Sequence, residues 1–327
     1  MALNAATPID GTNTTARFKD LGQILMKADG SMYVTDSGAV RHVATNGSVT
    51  TIAGMLGTHD FADGVGSAAR FKRPQGMALS GTTLVVADPG NMRIRSIDLT
   101  TNTVTTIAGM AAVGAVDGPA LSASFNNPTG VAFSGADVLV ADYFNPLIRK
   151  ISNGVVTTVG GRMPAVGLTD GVGAAARFNL PSSLAADADG AIYVLDRNNA
   201  AIRKLSGTTT TTFVSGSQLS LPRAMIAGKT EGFVVAETNR LLNVSATGVI
   251  TVLAGSVTPA NIDGPALSAR FKTISALAMD ATGQVLIAES GNCQIRVLAT
   301  DGTVTTLAGK ASTTSVDNCR LKLCSGA

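Results

Sequence analysis

Six acidic residues recur at one position of a repeated pattern, each at the end of a short and mostly apolar run. They are Asp36, Asp88, Asp142, Asp196, Glu237 and Glu289. Carboxylates gathered around one axis could hold a cation and support metal-assisted hydrolysis or elimination. A residue class that recurs once per repeat can also serve the repeat itself, through charge-assisted hydrogen bonds to basic side chains. The choice between the two hypotheses depends on the elements that position these acids.

The repeat is marked by a nine-residue segment that opens with Asp-Gly and closes with Phe, and we call it the marker loop. It occurs at Asp10–Phe18, Asp63–Phe71, Asp117–Phe125, Asp170–Phe178 and Asp263–Phe271. A glycine that ends each module recurs at Gly54, Gly109, Gly161, Gly216, Gly255 and Gly309, in steps of 55, 52, 55, 39 and 54 residues. Four short strands per module at about this period predict a β-propeller.

The chain is therefore predicted to be all-β, a single six-bladed propeller domain spanning residues 1–327. The expected blades are 10–54, 55–109, 110–161, 162–216, 217–255 and 256–309, with a tail at 310–327. Asp29-Gly30 and Asn46-Gly47 between apolar runs are typical of hairpin turns, so each blade is predicted to be an antiparallel meander. Each blade is complete in sequence, and the first is expected to pack against the sixth.

In a meander, the marker loop and the turn between strands two and three lie on the same face, which we call the marker face. The marker arginines Arg17, Arg70, Arg177 and Arg270 are therefore predicted to bond the strand-two acids or nearby backbone carbonyls, forming a structural ring. Ser124 replaces this arginine in the third module, so one link of the ring is expected to be missing. The marker Asp is expected to cap a helical turn, and the marker Phe to pack between blades.

The fifth module departs from the pattern. Its step is 39 residues, and the segment Ser217–Pro222 stands in place of the marker loop. We expect a notch in the marker face there, flanked by Arg223, Lys229 and Arg240.

Composition and charge indicate a folded protein with a large core. Apolar residues make up 45% of the chain and charged residues 14%, enough for a large core, and the net charge is only +3. No apolar run is long enough to span a bilayer.

Cys293, Cys319 and Cys324 leave one thiol unpaired, with a Cys319–Cys324 disulfide and two separate thiols both open. Three Asn-x-Ser/Thr acceptor patterns, at Asn13, Asn46 and Asn243, lean toward an extracellular or secreted location, while a cytoplasmic one stays open.

The order of motifs resembles the NHL-repeat β-propeller family. The segments that carry the resemblance are Arg70-Phe71, Asp88, Asn91, Arg93-Ile94-Arg95 and Val104 to Gly109 of the second module, and the match runs from Asp10 to Gly309. The resemblance implies six blades around a central channel. It leaves the function open, because this fold serves many tasks.

Three function classes can be compared on the residues. A histidine-built metal site is disfavoured, because the chain has only His42 and His59, at non-equivalent positions, and no cofactor is predicted. Binding of single-stranded RNA is disfavoured by the absence of Trp, the presence of only three Tyr, and strand-three basic residues that sit beside the acids. The preferred prediction is a monomeric, non-catalytic module that binds a protein, peptide or glycan. The alternative is a metal-assisted hydrolase or lyase that uses the six acids.

The predicted binding residues lie on the marker face, where loops usually carry recognition. They are Tyr143, Phe144, Asn145, Arg197, Asn198, Arg223 and Arg240. The opposing hypothesis for Phe144 is that its ring turns inward and closes a gap between blades.

Overall fold

The computed structural model describes residues 8–12, 15–187, 191–229, 232–292 and 294–309. The three cysteines and Asn13 lie outside these residues. The described chain forms six antiparallel sheets, each with its four main strands in chain order. The predicted six-bladed β-propeller is confirmed. None of the described helices is long and apolar enough to cross a bilayer.

The first three blades contain fourteen strands. Blade one consists of β1 Leu21–Met26, β2 Met32–Asp36, β3 Ala39–Val43 and β4 Val49–Gly54. Blade two consists of β5 Gly64–Val65, β6 Met77–Ser80, β7 Thr83–Asp88, β8 Arg93–Asp98 and β9 Thr103–Ala108. Blade three consists of β10 Gly118–Pro119, β11 Pro128–Ser134, β12 Asp137–Asp142, β13 Leu147–Ser152 and β14 Val155–Gly160.

The last three blades contain the other fourteen. Blade four consists of β15 Gly171–Val172, β16 Pro181–Ala186, β17 Ile192–Asp196, β18 Ala201–Ser206 and β19 Thr209–Ser215. Blade five consists of β20 Ala224–Ala227, β21 Phe233–Ala236, β22 Arg240–Val244 and β23 Ile250–Gly255. Blade six consists of β24 Gly264–Pro265, β25 Ile274–Met279, β26 Val285–Glu289, β27 Gln294–Leu298 and β28 Thr303–Gly309. Short 3₁₀ turns cover Gly66–Ala68, Pro89–Asn91, Ala120–Ser122 and Arg197–Asn199.

The second strand of each blade is buried on both sides. In β7, every residue from Leu84 to Asp88 is buried, and β17 is buried throughout. A blade packs against a neighbour on each of its two faces, so this strand is a continuous apolar run of β-branched and small residues rather than an alternating one. The strand-two acid therefore ends an element that has no access to water.

The marker phenylalanines lie between neighbouring blades, as predicted. Phe71 packs with Val40 and Ala53 of blade one and with Leu84 of its own blade. Blade one in turn packs against blade six, since Ile24 and Val34 share a cluster with Leu286. The ring is therefore closed by side-chain packing, as expected.

The predicted helical turn is present in the marker loops of blades two and three, as the 3₁₀ turns Gly66–Ala68 and Ala120–Ser122, but the predicted Asp cap is wrong because no side chain caps either turn. In blades two, three, four and six the marker Gly begins a two-residue strand that pairs with the outermost main strand, as in Gly64↔Val104. In blade one a single bridge, Gly11↔Val49, does the same. The Asp caps no turn, because its carboxylate is already engaged: Asp63 accepts the Thr106 N–H at 3.0 Å.

Candidate functional site

A buried arginine on the third strand organises the marker face of five blades. In blade two, Arg95 Nη1 donates to Asp88 Oδ2 at 3.0 Å, and Nη2 donates to Asp63 Oδ1 at 2.5 Å. The same guanidinium also donates to the backbone carbonyls of Arg70 (2.9 Å) and Ala62 (2.6 Å). Its carbon lies 5.0 Å from the centre of the Phe71 ring. One side chain thus links strand two, strand three and both ends of the marker loop.

The other four blades repeat this arrangement. The equivalent arginines are fully buried, and each pairs with the marker Asp and the strand-two acid of its own blade: Arg41, Arg149, Arg203 and Arg296. Each also lies over the marker Phe of its blade, at 4.3 to 5.1 Å. Guanidinium groups suit this role because they present several donors in one plane and stack on aromatic faces.

Of the two partners predicted for the marker arginines, the strand-two acids or nearby backbone carbonyls, Arg70, Arg177 and Arg270 bond the carbonyls, and the acids pair with the strand-three arginines. Arg70 donates to the carbonyls of Ser67 and Ala69, and Arg177 and Arg270 bond carbonyls of their own loops in the same way. Arg17 contributes its backbone carbonyl oxygen, which accepts a hydrogen bond from Arg41 Nη1. The link expected to be missing at Ser124 is present for the same reason: Arg149 bonds the Ser124 carbonyl at 2.9 Å.

The acid oxygens are occupied by donors of their own blade. Asp142 Oδ1 accepts the Asn126 N–H at 2.7 Å, while its Oδ2 accepts from Asn145 and Arg149. Asp36, Asp88 and Asp196 likewise accept backbone N–H groups and an arginine. Among the described residues, no three His, Cys, Asp or Glu side chains gather as metal ligands. Each of these carboxylates therefore links strands and loops of its own blade, and its oxygens are hydrogen-bonded there rather than free to face the channel.

Burial also changes the acidity of these groups. It raises the pKa of Asp142 and of Asp196 to about 6, against the opposing effect of their hydrogen bonds and arginine partners. The same cause raises the pKa of Glu289 to about 7. Two of its contacts are longer, 3.3 Å to the Lys272 N–H and 3.5 Å to Arg296, while Asn292 donates to it at 2.8 Å. At neutral pH, Asp142 and Asp196 are therefore mostly ionised and paired.

Blade five lacks this arginine anchor. The position of Arg95 is taken by the buried Leu242, and that of Thr106 by Val252. Leu219 takes the place of the marker Phe: it is buried, and the next residue, Ser220, donates its N–H to Glu237 as Lys72 does to Asp88. Glu237 pairs instead with Arg240. Arg240 is partly exposed and donates from Nε to this acid, and its binding role stays a prediction.

Three predicted binding residues do meet at the marker end of the central channel. Tyr143 and Arg197 follow the strand-two acids of blades three and four, and Arg223 precedes the first strand of blade five. Arg197 Nη1 donates to the Tyr143 hydroxyl at 2.8 Å. Burial lowers the pKa of Arg223, and the positive charge of Arg197 adds to this effect. Both guanidinium groups stay charged at neutral pH, so two cations share one small region.

These residues line a cavity of about 360 Å³. The other polar side chains that line it are uncharged: Gln23, Gln75, Asn127, Thr129, Ser182, Ser183 and Ser275. Arg197 and Arg223 carry the only formal charges among the described lining residues. Arg197 Nε is buried and has no acceptor in the described part of the chain. A buried N–H donor without a partner is costly, and the Nε atoms of Arg203 and Arg296 are buried without an acceptor in the same way.

The remaining predicted binding residues divide between surface and interior. Phe144 is 54% exposed and lies edge-on to Tyr143, with ring centres 5.0 Å apart, so the inward-turned hypothesis is wrong. Asn198 is exposed. Asn145 is buried and donates to Asp142 and to the Gly114 carbonyl, so its predicted binding role is corrected to a structural one. Lys229 does not flank the notch, since it lies in the turn after strand one and bonds the Thr282 carbonyl.

The polar residues of strand one were missed by sequence reasoning. Gln23, Gln75 and Ser182 stand at the start of the innermost strands, whose side chains face the channel. A polar residue there looks like a solvent-facing position of an ordinary sheet. The useful signal was that the start of strand one is small or polar in every module.

Comparisons with known proteins agree with this fold. The NHL repeat family model matches residues 178–205. Mouse (Mus musculus) Teneurin-4 is 24% identical over 331 residues, covering 83% of this chain and 12% of the relative. Chicken (Gallus gallus) NHL repeat-containing protein 2 is 42% identical over 84 residues, covering 25% of this chain and 11% of the relative. The chain thus spans only about an eighth of these curated relatives.

Among solved structures, a streptogramin B lyase superimposes with a TM-score of 0.61. The alignment covers 94% of this chain and 88% of the lyase, at 14% sequence identity. A likeness at this level of identity concerns the fold alone.

Proposed function

Because the chain is a six-bladed β-propeller of the NHL type, we propose that it is a non-catalytic binding protein that recognises an acidic glycan at the marker end of its channel. The observation that carries this proposal is the pair Arg197 and Arg223 in a cavity otherwise lined by uncharged groups. Guanidinium groups bind carboxylates through paired, charge-assisted hydrogen bonds. No described carboxylate lines the cavity to compete for them.

The rest of the cavity supports a sugar rather than an apolar ligand. Its amide and hydroxyl side chains can each exchange hydrogen bonds with ligand hydroxyls. Tyr143 lines the cavity and offers an aromatic surface to the C–H groups of a sugar ring, with the exposed Phe144 packed edge-on against it. The volume of about 360 Å³ is at the lower end for small-ligand sites, which suits one or two sugar units.

The alternative of a metal-assisted hydrolase or lyase at the six acids is not supported by the geometry. Such an enzyme needs convergent carboxylates with free oxygens, whereas the described acids are buried and bonded to donors of their own blades. Single-stranded RNA binding is not supported either, because five of the strand-three arginines are fully buried: Arg41, Arg95, Arg149, Arg203 and Arg296. The likeness to a lyase supports a shared fold only.

Binding can be tested by calorimetry and NMR with glucuronic acid and glucose, which differ by one carboxylate. Glucuronic acid is expected to bind at least about tenfold more tightly, or about 1.4 kcal/mol. Arg197→Met should lower this preference, with Arg223 retaining part of it, and should leave glucose binding unchanged. Arg93→Met is the matched control, because Arg93 stacks on Phe61 away from the cavity. Equal affinity for the two sugars, or an unchanged preference in Arg197→Met, would overturn the proposal; tighter binding of an acidic peptide would replace the glycan by a protein ligand.

The proposal includes an extracellular or secreted location. Asn46 of the acceptor pattern at 46–48 is exposed in a turn, where a glycan could be attached. Expression of the natural gene followed by fractionation of cells and medium tests this location. Recovery only from the cell interior would contradict it.

A further inference from the structure

Blade five leaves its outer sheet edge open. In blade one, Val49 exchanges two backbone hydrogen bonds with Gly11 of the marker loop, at 3.1 and 2.8 Å. Blades two, three, four and six pair the equivalent residue with the marker Gly in the same way. Ile250 holds this position in blade five, opposite Val244. Strand β23 ends its sheet, and no strand of the described chain pairs with its outer side.

The same edge lacks a side-chain cover. The residue equivalent to Ile250 is no more than 2% exposed in the other five blades, at Val49, Val104, Val156, Thr210 and Val304. Ile250 itself is only partly buried, while Val249 and Val252 are 60% and 43% exposed. A segment of chain that buries this position everywhere else is missing here. Its absence leaves apolar surface next to unpaired backbone groups, which is a template for strand addition.

The chemistry of the edge differs from that of the covered blades. Elsewhere the marker Asp is held by the strand-three arginine and by the threonine at the Thr106 position. In blade five these two partners are Leu242 and Val252, so a carboxylate would find one backbone N–H and two apolar side chains. Leaving a carboxylate without a cationic partner on apolar surface is unfavourable. The edge therefore suits an uncharged side chain where the marker loops carry Asp.

We propose that β23 binds an extended, apolar segment of another polypeptide, which adds a strand beside residues 249–252. Its backbone pairs with the outward N–H and C=O groups of Ile250 and Val252, and this supplies affinity independent of sequence. Apolar side chains on one face cover Ile250 and Val252 and set the preference for uncharged segments. This site is separate from the channel and does not depend on the glycan proposal.

The test uses two synthetic peptides in NMR titrations of the whole chain. The first has the sequence of residues 60–68, which contains the short strand Gly64–Val65 of blade two, and the second carries Asp63→Val within that peptide. The valine peptide is expected to shift the amide signals of Ile250 and Val252 and to bind at least about tenfold more tightly than the aspartate peptide. Tighter binding of the aspartate peptide, or shifts located elsewhere, would overturn the proposal.

Two variants distinguish strand addition from non-specific hydrophobic binding. Val252→Pro removes one outward N–H at an edge position where proline is tolerated, and binding should fall at least about tenfold. Val252→Ala keeps that N–H and should retain most of the affinity. If Val252→Pro fails to fold, hydrogen exchange decides: the Val252 amide should exchange at least about tenfold faster than the Thr106 amide, which Asp63 protects. Equal exchange rates would refute an open edge, and a dimer that forms through this edge would replace the partner by a second copy.

Discussion

Replacing Arg95 by leucine should be among the most destabilising single changes in this protein. The substitution leaves Asp88, which is fully buried, with only the Lys72 N–H and the Asn91 amide as donors. Breaking a buried ion pair by removing one partner costs about 3–5 kcal/mol. The carbonyls of Arg70 and Ala62 lose a donor as well, whereas Asp63 is 43% exposed and can recover water. We expect Arg95→Leu to lower the free energy of unfolding by at least about 4 kcal/mol.

The assay is urea unfolding followed by two spectroscopic probes, with coincident curves as the check on two-state behaviour. The matched control is Arg70→Leu, which removes the marker arginine that the sequence placed in the ring. Its side chain bonds only carbonyls of its own loop near the surface, so a loss below about 1 kcal/mol is expected. An Arg95→Leu loss under about 1 kcal/mol, or one no larger than that of Arg70→Leu, would refute the anchoring role of the strand-three arginine.

Three further predictions concern the packing between blades and the acidity of the buried carboxyl groups. Leu219→Ala should cost about 2–5 kcal/mol in urea unfolding, because Leu219 fills the marker Phe position between blades; a loss under about 0.5 kcal/mol would mean it lies in a surface loop. Gly76→Ala should cost about 1–3 kcal/mol in the same assay, because the new methyl would lie 2.3 Å from the Thr129 carbonyl oxygen of the next blade; an unchanged stability would contradict this close approach. Burial raises the pKa of Asp142 and Asp196 to about 6, so their carboxyl-carbon NMR signals should titrate near pH 6, and midpoints near 4 would contradict this. Between about pH 4 and pH 6, the folded protein therefore binds protons at Asp142 and Asp196 that the unfolded chain has released. The stability that comes from the protonated carboxyls is present below about pH 4 and is lost as pH rises through 6.

The blade architecture could be predicted because local and global signals agree. Asp-Gly and Asn-Gly turns, apolar runs and the recurring final glycine all indicate the same four-stranded unit. The position of the marker Phe followed from the same repeat. The small strand added by the marker loop was not foreseen, because two residues such as Gly64 and Val65 carry no periodicity to recognise.

The partner of each acid could not be chosen from the sequence alone. Both Arg70 and Arg95 lie near Asp88 on the marker face, and chain spacing does not tell which way a side chain points. A charged residue within a strand is ordinarily taken to face solvent. Arg95 instead pairs opposite Val86 and is fully buried, because the loop packed above it supplies four acceptor contacts and Asp88 a fifth.

Blade five shows that the anchor behaves as a unit. The marker Asp is absent there, and the same blade has Leu242 for the arginine, Val252 for the threonine and Leu219 for the phenylalanine. Keeping the arginine without the marker Asp and its loop carbonyls would leave a buried cation short of acceptors, and keeping the Asp without the arginine would leave a carboxylate on apolar surface. Replacing all four together leaves neither an arginine short of acceptors nor a marker carboxylate on apolar surface. Glu237 then has no strand-three arginine at position 242 to pair with, and it pairs with Arg240. The coupling was present in the sequence as four simultaneous departures in one module, and its physical consequence is the open edge at β23.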